Sequence, residues 1–239
     1  MNNSDLAQIL IRAVEEADSS DSLLDAVQEL AAASIEEAVP TLIAALGYNN
    51  PGAAVAAVDG LIAIGEAAVP PLLELIDNYN YGARAWAIRA LAGIGDVRAL
   101  NTLLEAAKTD FSLSVRRAAA RGLGTLCWDQ VPPEKLESVQ TQVLEALLVI
   151  SQDPEWIVRY ATVTSLETLA IAIAVTLPEQ ASRITNQLQQ MLDIDVDLGV
   201  RTRIKFAQEK IQQQQHQKVF VRKRRVDDSE VTHRGAGRR

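Results

Sequence analysis

The chain has 239 residues, 48% apolar but only 4% aromatic, a balance rich in Ala, Leu, Val and Ile that favours close-packed helices over sheets. Within a net charge of −8, the first 217 residues carry −13, and this strongly acidic body argues against nucleic acid as the main partner. One cysteine, Cys127, excludes an internal disulfide, and without a recognisable secretory signal or membrane span the sequence predicts a cytoplasmic protein.

Predicted helices recur in pairs along the chain. The second helix of successive pairs contains a matching leucine, at Leu61, Leu91, Leu123 and Leu166, with intervals of 30, 32 and 43 residues. These second helices fall in 50–65, 80–96, 112–126, 153–170 and 193–207, each preceded by a first helix in 36–46, 67–76, 97–107, 134–150 and 178–192. The period predicts an all-α solenoid of about five to six repeats over residues 1–212.

Aspartates and arginines recur with the helices. An aspartate precedes an arginine by six or seven residues in four units: Asp77/Arg84, Asp110/Arg116, Asp153/Arg159 and Asp195/Arg201. This pattern resembles HEAT repeats, in which the arginine pairs with the acid of its own or the next repeat and so forms a structural ladder. The small residues Gly60, Gly93, Gly122 and Gly124 are predicted to let neighbouring helices approach closely.

The segment 213–239 differs in composition from the repeats. From Lys218 onwards it carries eight lysines and arginines against three acids, a net charge of +5, which leaves the preceding 217 residues at −13. We predict a basic, disordered C-terminal tail. It could attract an acidic partner or be a dispensable extension, and the second interpretation is favoured.

Further cations and aromatic residues lie on the second helices. The ladder accounts for one arginine per repeat, but Arg89, Arg117 and Arg121 are additional, and the last two share one helix face because they are four residues apart. Such a strip would suit an anionic ligand with a flat conjugated skeleton, its carboxylates meeting guanidinium groups and its rings stacking on aromatic side chains. The alternative for Trp86 and Trp156 is that they are large core residues.

Catalytic and metal-binding patterns are not readable in the sequence. Both histidines, His216 and His233, fall in the polar C-terminal region, and Cys127 is interpreted as a small buried residue rather than a nucleophile. We therefore predict no metal site and assign no catalytic residue. The candidate proton donors are Asp77, Asp96 and Asp110, with helix capping or pairing with arginine as the favoured alternative.

Four stretches together carry a family resemblance. They are YNNPGAAVAAVDGLIAIG, YNYGARAWAIRALAGIGDVRALNTLLEAA, DFSLSVRRAAARGLG and QDPEWIVRY. In this order they resemble the phycobilin lyases of the E/F type, most closely the F subunits of phycocyanin α-subunit phycocyanobilin lyases, over roughly residues 35–170.

The resemblance implies a function, a substrate and a partner. The chain would pair with a homologous E-type subunit and attach phycocyanobilin through a thioether bond to a cysteine of the apo-phycocyanin α subunit. Phycocyanobilin would be a transferred substrate, with no cofactor bound permanently and no membrane span. The acceptor thiol would lie on the substrate protein, in agreement with the missing nucleophile here. Isomerising relatives carry a His-Cys pair that this sequence lacks, so we expect attachment without isomerisation.

The candidate bilin- or partner-binding residues follow from the matching motifs. The first group is Tyr79, Asn80, Tyr81, Arg84, Trp86 and Arg89, and the second is Arg116, Arg117, Trp156, Arg159 and Tyr160. Two alternatives stay open at this point. The chain could be a non-enzymatic HEAT adaptor or chaperone that binds phycobiliproteins during phycobilisome assembly or degradation, or a generic scaffold unrelated to pigments.

Overall fold

The computed structural model describes residues 3–77 and 81–214, and throughout these ranges the regular structure is helical. The first helix of each pair is α1 Asn3–Glu15, α3 Val39–Ala45, α5 Val69–Asp77, α7 Leu100–Thr109, α9 Pro133–Ile150 or α11 Pro178–Ile194. The second is α2 Ser20–Ala33, α4 Pro51–Ile64, α6 Tyr81–Ile94, α8 Leu113–Gly122, α10 Trp156–Ile173 or α12, residues 198–214. The predicted all-α solenoid is confirmed, with six helix pairs in the described ranges.

Helix α12 marks the end of the described chain. It continues to residue 214, so the predicted boundary after residue 212 falls within its last turn. The rest of the predicted tail, including both histidines, lies outside the described residues. The division into a repeat domain and a tail therefore stays a prediction.

Prolines and a capping asparagine fix where helices begin. Pro40 and Pro51 occupy first-turn positions of α3 and α4, where a missing N–H costs least. The side chain of Asn50 accepts a hydrogen bond from the Ala53 N–H at 3.1 Å and donates to the Ser20 carbonyl at 2.8 Å. One side chain therefore caps α4 and ties it to the start of α2.

The helices form two layers. The even-numbered helices contact each other more extensively than the odd-numbered helices do, which makes the even-numbered layer the inner side of the solenoid. The leucines that define the repeat are fully buried between the layers: Leu30, Leu61, Leu91, Leu123 and Leu166. Their burial confirms the repeat alignment and supplies much of the apolar contact that holds successive units together.

Glycines permit the close approach of inner helices, as the sequence predicted. A Cβ at Gly60 would lie 2.7 Å from the Ala31 Cβ, and one at Gly122 would lie 2.7 Å from the Ala92 Cβ. Gly124 is equally crowded, because a Cβ there would lie 2.6 Å from the Ser165 Cα, whereas a Cβ at Gly93 would meet the flexible side chain of Ile62. A larger residue at Gly60, Gly122 or Gly124 would force adjacent repeats apart.

Two helical segments are long and apolar enough to cross a membrane by length and composition alone: Pro51–Ile76 and Trp156–Ile173. In the most apolar 18-residue stretch of each segment, 44% and 50% of the residues are buried inside the solenoid. Core helices that pack against neighbours on more than one side pass the same test, so this apolar character is explained by packing.

Candidate functional site

A ladder of ion pairs runs along the ends of the inner helices. The Nε of Arg84, Arg116 and Arg159 donates to the Oδ2 of Asp110, Asp153 and Asp195, at 2.8, 2.8 and 2.7 Å. In each case the aspartate belongs to the next repeat. The structure thus selects one of the two pairings that the sequence left open.

Each aspartate of the ladder also caps its own turn. The backbone N–H of Ser112 donates to Asp110 Oδ1 at 2.8 Å, and that of Asp197 donates to Asp195 Oδ1 at 2.9 Å. Arg116 completes the chain of contacts, because its Nη1 donates to the Asp110 carbonyl at 2.9 Å. Three of the predicted ligand-binding arginines are therefore engaged in repeat-to-repeat contacts.

Ionisation of the ladder follows from these bonds. The hydrogen bond with Asp195 raises the pKa of Arg159, and the one with Asp153 raises the pKa of Arg116. Burial acts to raise the pKa of Asp195, but the hydrogen bonds from Arg159 and from the Asp197 N–H outweigh burial, so its pKa is lowered. Arg116, Arg159 and Asp195 are therefore charged at neutral pH.

Two of the three candidate proton donors are used as caps and ion-pair partners. The side-chain hydrogen bond from Arg98 lowers the pKa of Asp96, whose Oδ2 lies 2.6 Å from Arg98 Nη2, so its carboxyl carries no proton at neutral pH. Asp110 accepts from Arg84 and from its own turn. The side chain of Asp77 lies outside the description. For Asp96 and Asp110 the favoured alternative is confirmed.

The additional arginines are exposed on the inner layer. Arg89, Arg117 and Arg121 have no carboxylate partner among the described residues. Arg89 lies over the ring of half-buried Trp86, with 5.7 Å from its guanidinium carbon to the ring centre. Trp86 packs against the core as well, so it serves both of the roles considered for it.

Exposed aromatic residues continue the same positions in the later repeats. Tyr160 follows the ladder residue Arg159 by one, as Arg117 follows Arg116, and Phe206 follows Arg201 by five, as Arg121 follows Arg116. Tyr160 is 40% exposed and Phe206 is 49% exposed. We call the series the inner stripe: Arg89, Arg117, Arg121, Tyr160 and Phe206.

The remaining aromatic candidates lie at the start of inner helices or outside the description. Trp156 begins α10 and is 46% exposed, so it is not the core residue of the alternative interpretation. Tyr81 begins α6, but its side chain is not described. Tyr79 and Asn80 fall outside the described residues.

A cleft of about 630 Å³ opens between α10 and α12 at the aromatic end of the inner stripe. It is lined by Tyr160, Leu198, Gly199, Thr202, Arg203 and Phe206. Only the first of these was selected from the sequence. The 42-residue offset between Arg159 and Arg201 could have located the others, because it places α12 in the same register as α10.

Charge is distributed unevenly along the chain. Residues 1–83 contain one cation, Arg12, against thirteen acids, whereas residues 84–214 contain fourteen cations against fifteen acids. The first repeats therefore repel an anionic ligand far more strongly than the repeats from α6 onwards do.

Metal-ligating and thiol groups are sparse in the described ranges. These ranges contain no group of three or more His, Cys, Asp or Glu side chains that could hold a metal ion. Cys127 is half-buried, with its Sγ 4.0 Å from the Ile94 carbonyl oxygen. The arrangement as a whole is suited to binding and positioning.

Comparison with known proteins places this site in context. A family model described as HEAT repeats matches residues 39–124 and 69–167. A Pseudanabaena tenuis protein named phycocyanobilin lyase subunit beta is 58% identical over 205 residues, which cover 85% of this chain and 73% of that protein. The Synechocystis sp. phycocyanin alpha phycocyanobilin lyase CpcF is 60% identical over 161 residues, covering 67% and 75%.

A solved structure extends the likeness to three dimensions. The complex of CpcE and CpcF of phycocyanin lyase from Nostoc sp. contains a chain that matches with 50% identity and a TM-score of 0.65. The match covers 72% of this chain and 98% of that chain.

Proposed function

Because this chain belongs to the HEAT-repeat family of phycocyanobilin lyase subunits, we propose that it is the F-type subunit of a heterodimeric lyase. The complex attaches phycocyanobilin to a cysteine of the apo-phycocyanin α subunit. The observation that carries this proposal is 58% identity over 85% of the chain to a relative named for that activity.

The reaction does not require a nucleophile from the lyase. Thioether formation adds the acceptor's S–H across a carbon–carbon double bond of the bilin: sulfur bonds to one carbon and the proton ends on its neighbour. There is no leaving group and no change in the number of electrons. The lyase has to hold the bilin, orient it towards the thiol and exclude water and wrong thiols.

The inner stripe is the surface proposed to hold the bilin. Phycocyanobilin is flat, conjugated and carries two propionates, which suit Arg117 and Arg121 on one face of α8. Arg89 and Trp86 offer a further cation beside a ring surface. Arg84, Arg116 and Arg159 have a different task in this proposal: they hold the repeats in register and so position the stripe.

Partner and location complete the proposal. An E-type homologue supplies the second subunit, the bilin is a transferred substrate rather than a resident cofactor, and the reaction takes place in the cytoplasm. Large apolar side chains on the α11–α12 turn offer a protein-binding surface, since Ile194 is 78% exposed and Val196 is 93% exposed.

The same exposed turn favours a second candidate, a non-enzymatic adaptor that binds phycobiliproteins. An omission series separates the two functions. Purified chain, E-type partner, apo-phycocyanin α and phycocyanobilin are combined, and covalent pigment is read by zinc-enhanced fluorescence after denaturing electrophoresis. We expect pigment on the acceptor only when both subunits are present, and none on an acceptor whose cysteine is replaced by serine.

Absence of covalent pigment from the complete mixture, together with tight binding of the acceptor, would support the adaptor instead. Equal labelling with and without this chain would also contradict the proposed lyase role.

A further inference from the structure

The inner stripe changes character along the solenoid. On α8, Arg117 and Arg121 follow the ladder residue Arg116 by one and five residues. On α10, Tyr160 follows Arg159 by one residue, and on α12, Phe206 follows Arg201 by five. Inner helices pack about 8–10 Å apart, so guanidinium groups and exposed rings lie one to two helix spacings from each other. A ligand lying across these helices has to be anionic in one part and flat and uncharged in another.

The floor of the α10–α12 cleft is electrically neutral. Arg203, whose side chain is 10% exposed, has its Nη1 2.7 Å from Oε2 of Glu167. The two groups are not aligned for a hydrogen bond, so they form a charge pair, while Arg203 Nε donates to Thr164 Oγ1 at 3.1 Å. Because Glu167 offsets the charge of Arg203, the floor of the cleft attracts a carboxylate less strongly than Arg117 and Arg121 do.

The walls of the cleft present flat surfaces and open space. Arg203 and Lys210 lie 5.3 and 5.5 Å from the centre of the Phe206 ring, and Tyr160 faces the cleft from α10. Gly199 lines the cleft without a side chain of its own. The volume lies within the usual range for small-ligand sites.

We propose that this cleft holds a terminal lactam ring of the linear tetrapyrrole while Arg117 and Arg121 hold its propionates. The inference rests on the proposed function, since the ligand is the bilin. A lactam ring is flat and uncharged, and it offers a carbonyl acceptor and an N–H donor. Arg203 and the Thr202 hydroxyl supply the complementary groups. Holding one end of the bilin limits its conformations and directs the other end to the acceptor thiol.

Filling the cleft tests this assignment. The full chain with its E-type partner is titrated with free phycocyanobilin, and binding is followed by visible absorbance. Thr202→Phe enlarges a side chain that lines the cleft, and we expect it to raise the Kd about tenfold or more. Gln212→Phe is the matched control, because residue 212 is exposed on the same helix and turned about 120° from Phe206. We expect the control to bind within about twofold of the wild type.

Circular dichroism checks that the cleft-filling variant folds, and a second variant tests the cleft independently. Phe206→Ala removes a half-exposed wall and is expected to weaken binding about fivefold or more. Wild-type bilin affinity in both cleft variants would overturn the inference and leave the lyase function intact. Loss of acceptor binding at unchanged bilin affinity would identify the cleft as a protein contact and overturn it as well. A wild-type complex that binds bilin but attaches none would instead refute the proposed function.

Discussion

Arg159 donates two hydrogen bonds to Asp195 of the next repeat, from Nε to Oδ2 at 2.7 Å and from Nη2 to Oδ1 at 2.9 Å. Its Nη1 donates to the carbonyls of Asp153 and Pro154 in its own repeat, at 2.9 and 3.0 Å. One guanidinium therefore joins two consecutive turns. Its side chain is 15% exposed and that of Asp195 is 4% exposed, so the pair is largely withdrawn from water.

Replacing Asp195 by Asn should destabilise the solenoid by about 3 kcal/mol, because Arg159 would be left partly buried without its acid. Urea unfolding followed by circular dichroism measures the change. The matched control is Glu145→Gln, which breaks the exposed Arg183–Glu145 pair, with side chains 45% and 54% exposed. That variant should lose less than about 1 kcal/mol. Equal losses in the two variants would contradict a structural role for the ladder.

Acid should remove the contribution that Asp195 makes to the free energy of unfolding. Burial raises its pKa, but the Arg159 and backbone hydrogen bonds lower it further, so the folded pKa lies below the unfolded value of about 3.9. The stabilisation is therefore complete above about pH 5 and is lost as the pH falls through the folded pKa. The difference in unfolding free energy between wild type and Asp195→Asn should be constant from neutral pH to about pH 5 and shrink below pH 4. An equal difference at pH 3 and pH 7 would disprove this linkage.

Gly60→Ala should destabilise the chain although alanine is the better helix former. Its Cβ would lie 2.7 Å from the Ala31 Cβ and 2.8 Å from the Ala31 Cα. Overpacking costs about 1–3 kcal/mol, whereas the higher helix propensity of alanine stabilises by up to about 1 kcal/mol. We therefore expect a net loss of about 1–2 kcal/mol in unfolding free energy. The double variant Gly60→Ala/Ala31→Gly removes the Cβ–Cβ contact and should recover part of the loss. A neutral or stabilising single variant would show that the repeats are not closely packed here.

The helices and their stacking could be predicted from the sequence because both follow from local patterns. Apolar spacing predicts helices, and the recurrence of Leu61, Leu91, Leu123 and Leu166 predicts which faces meet. The sequence could not decide which aspartate each ladder arginine contacts. Both the preceding and the following acid lie within reach of a flexible side chain, and only the packing of adjacent turns selects Asp195 for Arg159.

The candidate site was predicted less completely. The sequence indicates Arg89, Arg117 and Arg121 as cations beyond one arginine per repeat, and the structure leaves all three exposed. Of these, only Arg89 and Arg117 are among the candidate binding residues of the sequence analysis. Phe206 and Leu198 were missed, since they lie in the least regular repeat and become neighbours of Tyr160 only when α12 packs on α10. The 42-residue offset from Arg159 to Arg201 aligns α12 with α10 in the sequence, but it does not show which side chains meet across the two helices.

The measurement that tests the central claim most directly is the rate of covalent bilin attachment by a complex lacking two cations of the inner stripe. Arg117→Gln/Arg121→Gln removes exposed guanidinium groups outside the ladder, so the helical content and unfolding midpoint should stay at wild-type values. We expect attachment to slow about tenfold or more, because each carboxylate contact contributes roughly 1.5–3 kcal/mol. Lys108→Gln, which removes an exposed cation from the outer helix α7, should leave the rate unchanged. A wild-type rate in the double arginine variant would contradict the account.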